Sequence, residues 1–169
     1  SRKKIDNLFS RMLTDKCGAL ILTNLDDIAW LFNLRAADIA RTPLMISFAL
    51  ITMNKATLFA GENVISQSLR DRLKGDGVDV SIYKDVYAAI AGLPENSIVM
   101  ADTRKINMAL AASLPESARL IHRLNPTTEF KAIKNEAEIR DTIHSHVLDG
   151  TALTRFIYWL KKNVAHQTI

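Results

Sequence analysis

Cysteine is nearly absent. Cys17 stands alone among 169 residues, which excludes an intrachain disulfide and a cysteine-based metal site. Its neighbours hold nothing that would activate a thiol, so a buried, inert role is expected. A lone unpaired thiol fits a reducing compartment, and the expected location is cytoplasmic. Long apolar runs are missing too. The longest, Leu44 to Leu50, is broken by Ser47 and falls far short of the roughly 20 residues of a membrane span, so no membrane partner is expected. Ser1-Arg2-Lys3-Lys4 is basic, but no apolar segment follows as in a signal peptide. A chain that opens on Ser1 rather than Met is expected to be a piece of a longer one. Internal repeats and low-complexity stretches are also lacking. The net charge is +4, but the basic residues are scattered and never interleave with aromatics as a stacking platform requires. Nucleic acid is therefore not an expected partner.

What is present is ordinary for a folded domain: 48% apolar and 24% charged residues, enough to bury a core. The length suits one well-packed domain and is too short for two full-sized ones. Ile5, Leu8, Phe9, Met12 and Leu13 predict a helix over 5–16 with an apolar face, ended by Gly18. A strand over 19–23 follows. A short helix then starts at Asp26 and Asp27, whose charge suits its N-terminal dipole, and buries Ile28, Trp30, Leu31 and Phe32. Residues 33–43 read as loop, closed by Pro43.

Strands over 45–52 and 57–60 are joined at Asn54-Lys55, where Asn tolerates positive φ. A helix is predicted over 62–74. Strands over 78–83, 97–101 and 119–124 then alternate with helices over 86–91 and 106–114. The expected fold is α/β, a mixed sheet of about six strands with flanking helices.

The final part changes character. Residues 125–129 read as a turn-rich joint, followed by 130–134 and then one long helix from Asn135 to about Lys162. Asn135 and Glu138 have the spacing of a reciprocal cap. Ile139, Ile143, Val147, Gly150, Leu153, Ile157, Leu160 and Val164 form an apolar stripe at steps of three and four. About 28 residues correspond to roughly 40 Å of helix, against a radius of gyration of roughly 14 Å for a domain of this size. The helix is expected to overhang, with an apolar face made for a surface this chain does not contain.

Two blocks of sequence resemble the aminopeptidase P branch of the creatinase/prolidase family. The first is Leu25-Asp26-Asp27-Ile28-Ala29-Trp30-Leu31-Phe32-Asn33-Leu34-Arg35 with Asp38-Ile39 and Thr42-Pro43. The second is Lys131-Ala132-Ile133-Lys134-Asn135-Glu136-Ala137-Glu138-Ile139-Arg140, continuing through His146, Asp149, Ala152-Leu153 and Phe156-Ile157-Tyr158-Trp159-Leu160. The chain departs from the family at Ala36-Ala37, where relatives often have Gly-Ser, and at Arg41-Thr42, where they have Tyr-Asn.

The resemblance implies a creatinase-type, ribonuclease-H-like domain over 1–130. Residues 131–169 would be the linker and first helix of a truncated "pita-bread" catalytic domain. It implies a parent enzyme that hydrolyses the bond between an N-terminal residue and proline, using two divalent metal ions, manganese being expected, held by two aspartates, a histidine and two glutamates. None of those ligands can be placed here, so no catalytic or metal residue is expected in this chain and the fragment alone should be inactive. Its role would be to shape the cleft, restrict entry to short proline-containing peptides and support assembly. The implied partners are the missing catalytic domain and further copies in a homo-oligomer. Prolidase or creatinase is the runner-up within the family. A stand-alone module for a small ligand or partner is the alternative outside it.

Asn33, Arg35 and Asp38 are the candidate substrate or interface residues, on a loop that by resemblance faces the cleft or a neighbouring subunit. The competing reading is a surface ion pair of Arg35 with Asp38. His144 and His146, two residues apart, diverge too far around a helix to share a metal, and His122 reads as a satisfied sheet residue. Asp26 and Asp27 with Asp102 would be the only basis for a two-metal nuclease site, against which helix capping is the preferred explanation.

Overall fold

The structure, a computed structural model, describes residues 1–164. They form two compact units, Ser1–Lys131 and Ala132 onward. The first is built around the short strand β1 (Ala19–Leu22), in which every residue is buried. Leu20 and Leu22 face one core layer with α1 (Arg2–Thr14), α2 (Leu25–Phe32) and α3 (Gln67–Gly75). Ala19 and Ile21 face the other, beneath α4 (Asp85–Ala91) and α5 (Met108–Ala112). Helices on both sides explain why the strand reads as an unbroken apolar run.

The remaining strands are β2 (Ser47–Thr52), β3 (Lys55–Ala60), β4 (Val78–Ile82), β5 (Ile98–Ala101) and β6 (Arg119–His122), in the sheet order β4-β3-β2-β1-β5-β6. β1, β2 and β3 pair antiparallel as a meander, while β4 runs parallel to β3, and β5 and β6 run parallel to β1. This is the mixed six-stranded sheet with flanking helices that the sequence predicts.

Local details depart from expectation for identifiable reasons. α1 starts at Arg2, and its buried stripe is Ile5, Leu8 and Met12. Leu13 lies one residue beyond that stripe and is exposed. α1 ends at Thr14 with Asp15 as its C-terminal cap, and Lys16 rather than Gly18 takes the left-handed region at φ 54°. Trp30 is only partly buried. Thr52 pairs with Lys55, so the hairpin turns at Met53-Asn54, and Asn54 does not take positive φ. α3 begins at Gln67 because the Ser66 hydroxyl caps it through the Leu69 amide; Val64 and Ile65 precede it in a turn. Gly77 takes φ +81° after its end, with the Arg2 guanidinium 3.3 Å from where a side chain would start.

The joint predicted over 125–129 is helical from Pro126 onward. α6 spans Pro126–Ala132, with proline in the first turn, where its missing N–H is not needed. The second unit is dominated by α7 (Glu136–Asn163). Its cap is as the spacing predicts: the Glu138 amide donates to Asn135 Oδ1 at 3.0 Å, and the Asn135 amide donates to Glu138 Oε2 at 2.9 Å. No residue of α7 is buried. Among the described residues, no helix is long and apolar enough to cross a membrane.

Candidate functional site

α2 and the loop after it carry the predicted site residues. The helix stops at Asn33, which takes the left-handed conformation at φ 50°, ψ 51°. Two cations satisfy the carbonyls this leaves open. Arg72 Nη2 donates to the Phe32 carbonyl at 3.1 Å. Lys4 Nζ donates to the Trp30 carbonyl and, at 2.9 Å, to Asn33 Oδ1, and lies 4.2 Å from the centre of the Trp30 ring. Asn33 is thus tied into the C-terminal cap of α2.

Arg35 and Asp38 are both exposed, and the structure does not bring them together. Arg35 Nη1 donates to the Leu34 carbonyl at 2.7 Å, while Asp38 Oδ2 accepts from the Ile46 amide at 2.8 Å. The surface ion pair considered from the sequence is therefore replaced by two separate backbone contacts. Asp38 clasps the loop onto the approach to β2, and the bridge between Ile39 and Thr42 tightens the enclosed segment.

The other end of α2 holds a polar centre that sequence reasoning missed. Asp27 is fully buried. Its Oδ2 accepts from Asn24 Nδ2 at 3.1 Å, Thr128 Oγ1 at 3.3 Å and Asn125 Nδ2 at 3.4 Å. Its Oδ1 accepts from Lys131 Nζ at 2.8 Å, and the same ammonium pairs with Asp26. Burial works to raise the Asp26 carboxyl, but the hydrogen bond and charge of Lys131 outweigh it and hold the group below the usual carboxylate range. Burial likewise works against the Lys131 ammonium, and the hydrogen bonds it donates to Asp26 and Asp27 raise it above its ordinary value. The first sequence block thus touches the opening lysine of the second across more than a hundred residues. Arg11 adds a parallel tie from α1 to Glu129 of α6 at 2.9 Å.

Asp102, at the end of β5, is also buried. The Arg104 guanidinium grips it at 3.0 and 3.1 Å, and this hydrogen bonding, set against burial, holds the carboxyl below its usual range. His122 Nδ1 accepts from the Thr103 amide at 3.1 Å, the satisfied sheet position expected of it. His144 and His146 are exposed on α7. Among the described residues, no three His, Cys, Asp or Glu side chains converge as metal ligands. Asp26 and Asp27 share an ammonium and Asp102 holds a guanidinium, so the acids that would build a nuclease centre are each engaged by a cation of the chain itself.

The sequence pattern of the creatinase/prolidase N-terminal domain matches residues 1–138. The chain belongs to that family. Within the creatinase/prolidase group its likeness falls on the aminopeptidase P branch. It is 30% identical over 167 residues to a probable Xaa-Pro aminopeptidase P of Arthroderma gypseum, covering 94% of this chain and 26% of the relative. It is 32% identical over 174 residues to that of Talaromyces stipitatus, covering 98% and 26%. An X-prolyl aminopeptidase from Caenorhabditis elegans, described as a cytosolic enzyme with a di-nuclear active site, superposes with a TM-score of 0.85 at 27% identity, over 98% of this chain and 28% of that one. The prolidase from Pyrococcus horikoshii, at 15% identity and a TM-score of 0.53, shares the creatinase-type fold. The chain spans about a quarter of the length of the curated relatives it matches.

Proposed function

We propose that this chain is the non-catalytic domain of a metal-dependent Xaa-Pro aminopeptidase, which removes an N-terminal residue preceding proline. Residues 1–130 form the creatinase-type domain, and residues 131–169 belong to the joint and the start of a pita-bread catalytic domain, with α7 (Glu136–Asn163) as its first helix. The observation that carries this reading is α7. Ile143 and Ile157 lie along one side of it, Leu148 and Trp159 roughly opposite at 3.6 residues per turn, and all four are exposed. A helix apolar on opposing sides belongs inside a larger body, and a single partner surface cannot cover it. The extent of the likeness to the nematode enzyme, which takes in nearly the whole chain, supports the same assignment.

The described residues do not fit a divalent ion, so two such ions, manganese in this proposal, would be held by sequence beyond this chain. The domain would shape the cleft, limit entry to short peptides and support a cytoplasmic homo-oligomer. The unpaired Cys17 and the cytosolic description of the nematode relative favour that location. Asn33, Arg35 and Asp38 would present the loop to the cleft or a neighbouring subunit.

The test is cleavage of an Ala-Pro-Ala tripeptide by the longer protein, with and without manganese, beside the 169-residue chain alone. Turnover by the longer protein that a chelator abolishes is expected, with none from the isolated chain. Peptide cleavage by the isolated chain, or a preference for dipeptides over tripeptides, would overturn the assignment. In the longer protein, Arg35→Ala should raise KM or change the mass in solution by light scattering; unaltered values of both would remove Arg35 from either role.

A further inference from the structure

We propose that the free edge of β4 is a docking site for an extended acidic peptide, which adds to the sheet as a seventh strand between α3 and α4. Among the described residues, β4 pairs with β3 alone, so the backbone groups on its other side are open to a further strand. A cavity of about 1040 Å³ lies beside it, taking Arg70 and Lys74 from α3 and Asp85, Ala88 and Ala89 from α4. These two helices pack in opposite core layers of the sheet. The same lining takes in Val78, Asp79, Val80 and Ser81 of β4, with residues 53–55 of the β2–β3 turn and Gly18 and Ser97 just before β1 and β5, so the space runs along β4 and continues past the ends of its neighbours.

Charge selects the occupant. Neither the Arg70 nor the Lys74 side chain makes a hydrogen bond or ion pair among the described residues. Like charges four residues apart on one helix repel, so α3 presents an unmet demand for anions. On the α4 side Asp79 pairs with Lys55 at 2.9 Å, while Asp85 accepts from the neutral Ser81 hydroxyl at 2.7 Å and keeps a negative charge that disfavours an acid on that wall. That wall offers Ala88 and Ala89, which leave room for small apolar groups. Because side chains alternate across a strand, the fitting sequence carries acidic residues at every second position, toward α3, and small apolar ones between them. A second copy of this chain is a poor occupant, since edge-to-edge pairing of two β4 strands would gather both pairs of unmatched cations at one seam.

The experiment uses capped Glu-Ala-Glu-Ala-Glu-Ala and its Lys-Ala counterpart against the 169-residue chain, read by fluorescence anisotropy and by amide exchange over Val78–Ile82. Saturable binding of the acidic peptide alone, with slowed exchange in β4, is expected. The double variant Arg70→Glu/Lys74→Glu, its fold checked by circular dichroism, should weaken binding at least about tenfold, and Arg70→Gln/Lys74→Gln by less. Equal binding of the basic peptide, binding without protection of β4, or no binding up to millimolar peptide would overturn the proposal. A concentration-dependent dimer that protects β4 without peptide would overturn it in favour of self-pairing.

Discussion

At the scale of single residues, Asp27 has the most to lose. A fully buried carboxylate with four donors around it is stable only while they remain. Removing one partner of a buried ion pair costs roughly 3–5 kcal/mol. Lys131 is 31% exposed and keeps Asp26, so Asp27→Asn should cost less, about 2–3 kcal/mol, read as a lowered urea midpoint. Asp26 supplies the pH signature. Its folded carboxyl titrates below the usual range, so its contribution is complete above the unfolded value of about 4 and lost as pH falls below it. Thermal stability should therefore drop on acidification past that point, and less steeply in Asp26→Asn. An equal slope in both proteins would assign the loss to other acids, Asp102 foremost, since Arg104 lowers it in the same sense. None of this was legible in the sequence. Asp26 and Asp27 read as dipole partners of α2 because every other group that meets Asp27, apart from Asn24, comes from residues 125–131.

At the scale of elements, the strands and most helices could be read from periodicity, because each has a face against a core layer. What failed depended on particular caps and turns. Pro126 reads as a turn residue, and the helix it opens is only seven residues long, too short to establish a period. Val64 and Ile65 look like a first helical turn, but Ser66, directly after them, caps the Leu69 amide and resets the start to Gln67. α7 was legible in full, since its signals are local: a capping box, acids in the first turn and lysines in the last. With no buried residue, the helix relies on those local terms. Asn135→Ala should cost about 1 kcal/mol at its N-terminus, seen as roughly fivefold faster amide exchange in the first turn with no change in β1.

For the whole molecule, the sheet and the long helix depend on different things. Unit 1 is held by two apolar layers that meet at β1, so Leu20→Ala, at a fully buried site, should destabilise it by about 2–5 kcal/mol. The loss should appear as a lower denaturation midpoint for the sheet. The candidate loop was legible only as a location. Asn33, Arg35 and Asp38 were found by resemblance, but their hydrogen bonds to Lys4, Leu34 and Ile46 depend on backbone geometry that residue identity does not encode.

The protein contains two tryptophans. Trp30 packs partly buried against the core of the first unit beneath the Lys4 ammonium, and Trp159 sits half exposed on α7, stacked with Phe156. The chain thus carries a separate intrinsic fluorophore on each unit. Trp30→Phe and Trp159→Phe would each leave a single emitter, so melting of the sheet and fraying of the helix could be timed independently in one cuvette without an attached dye.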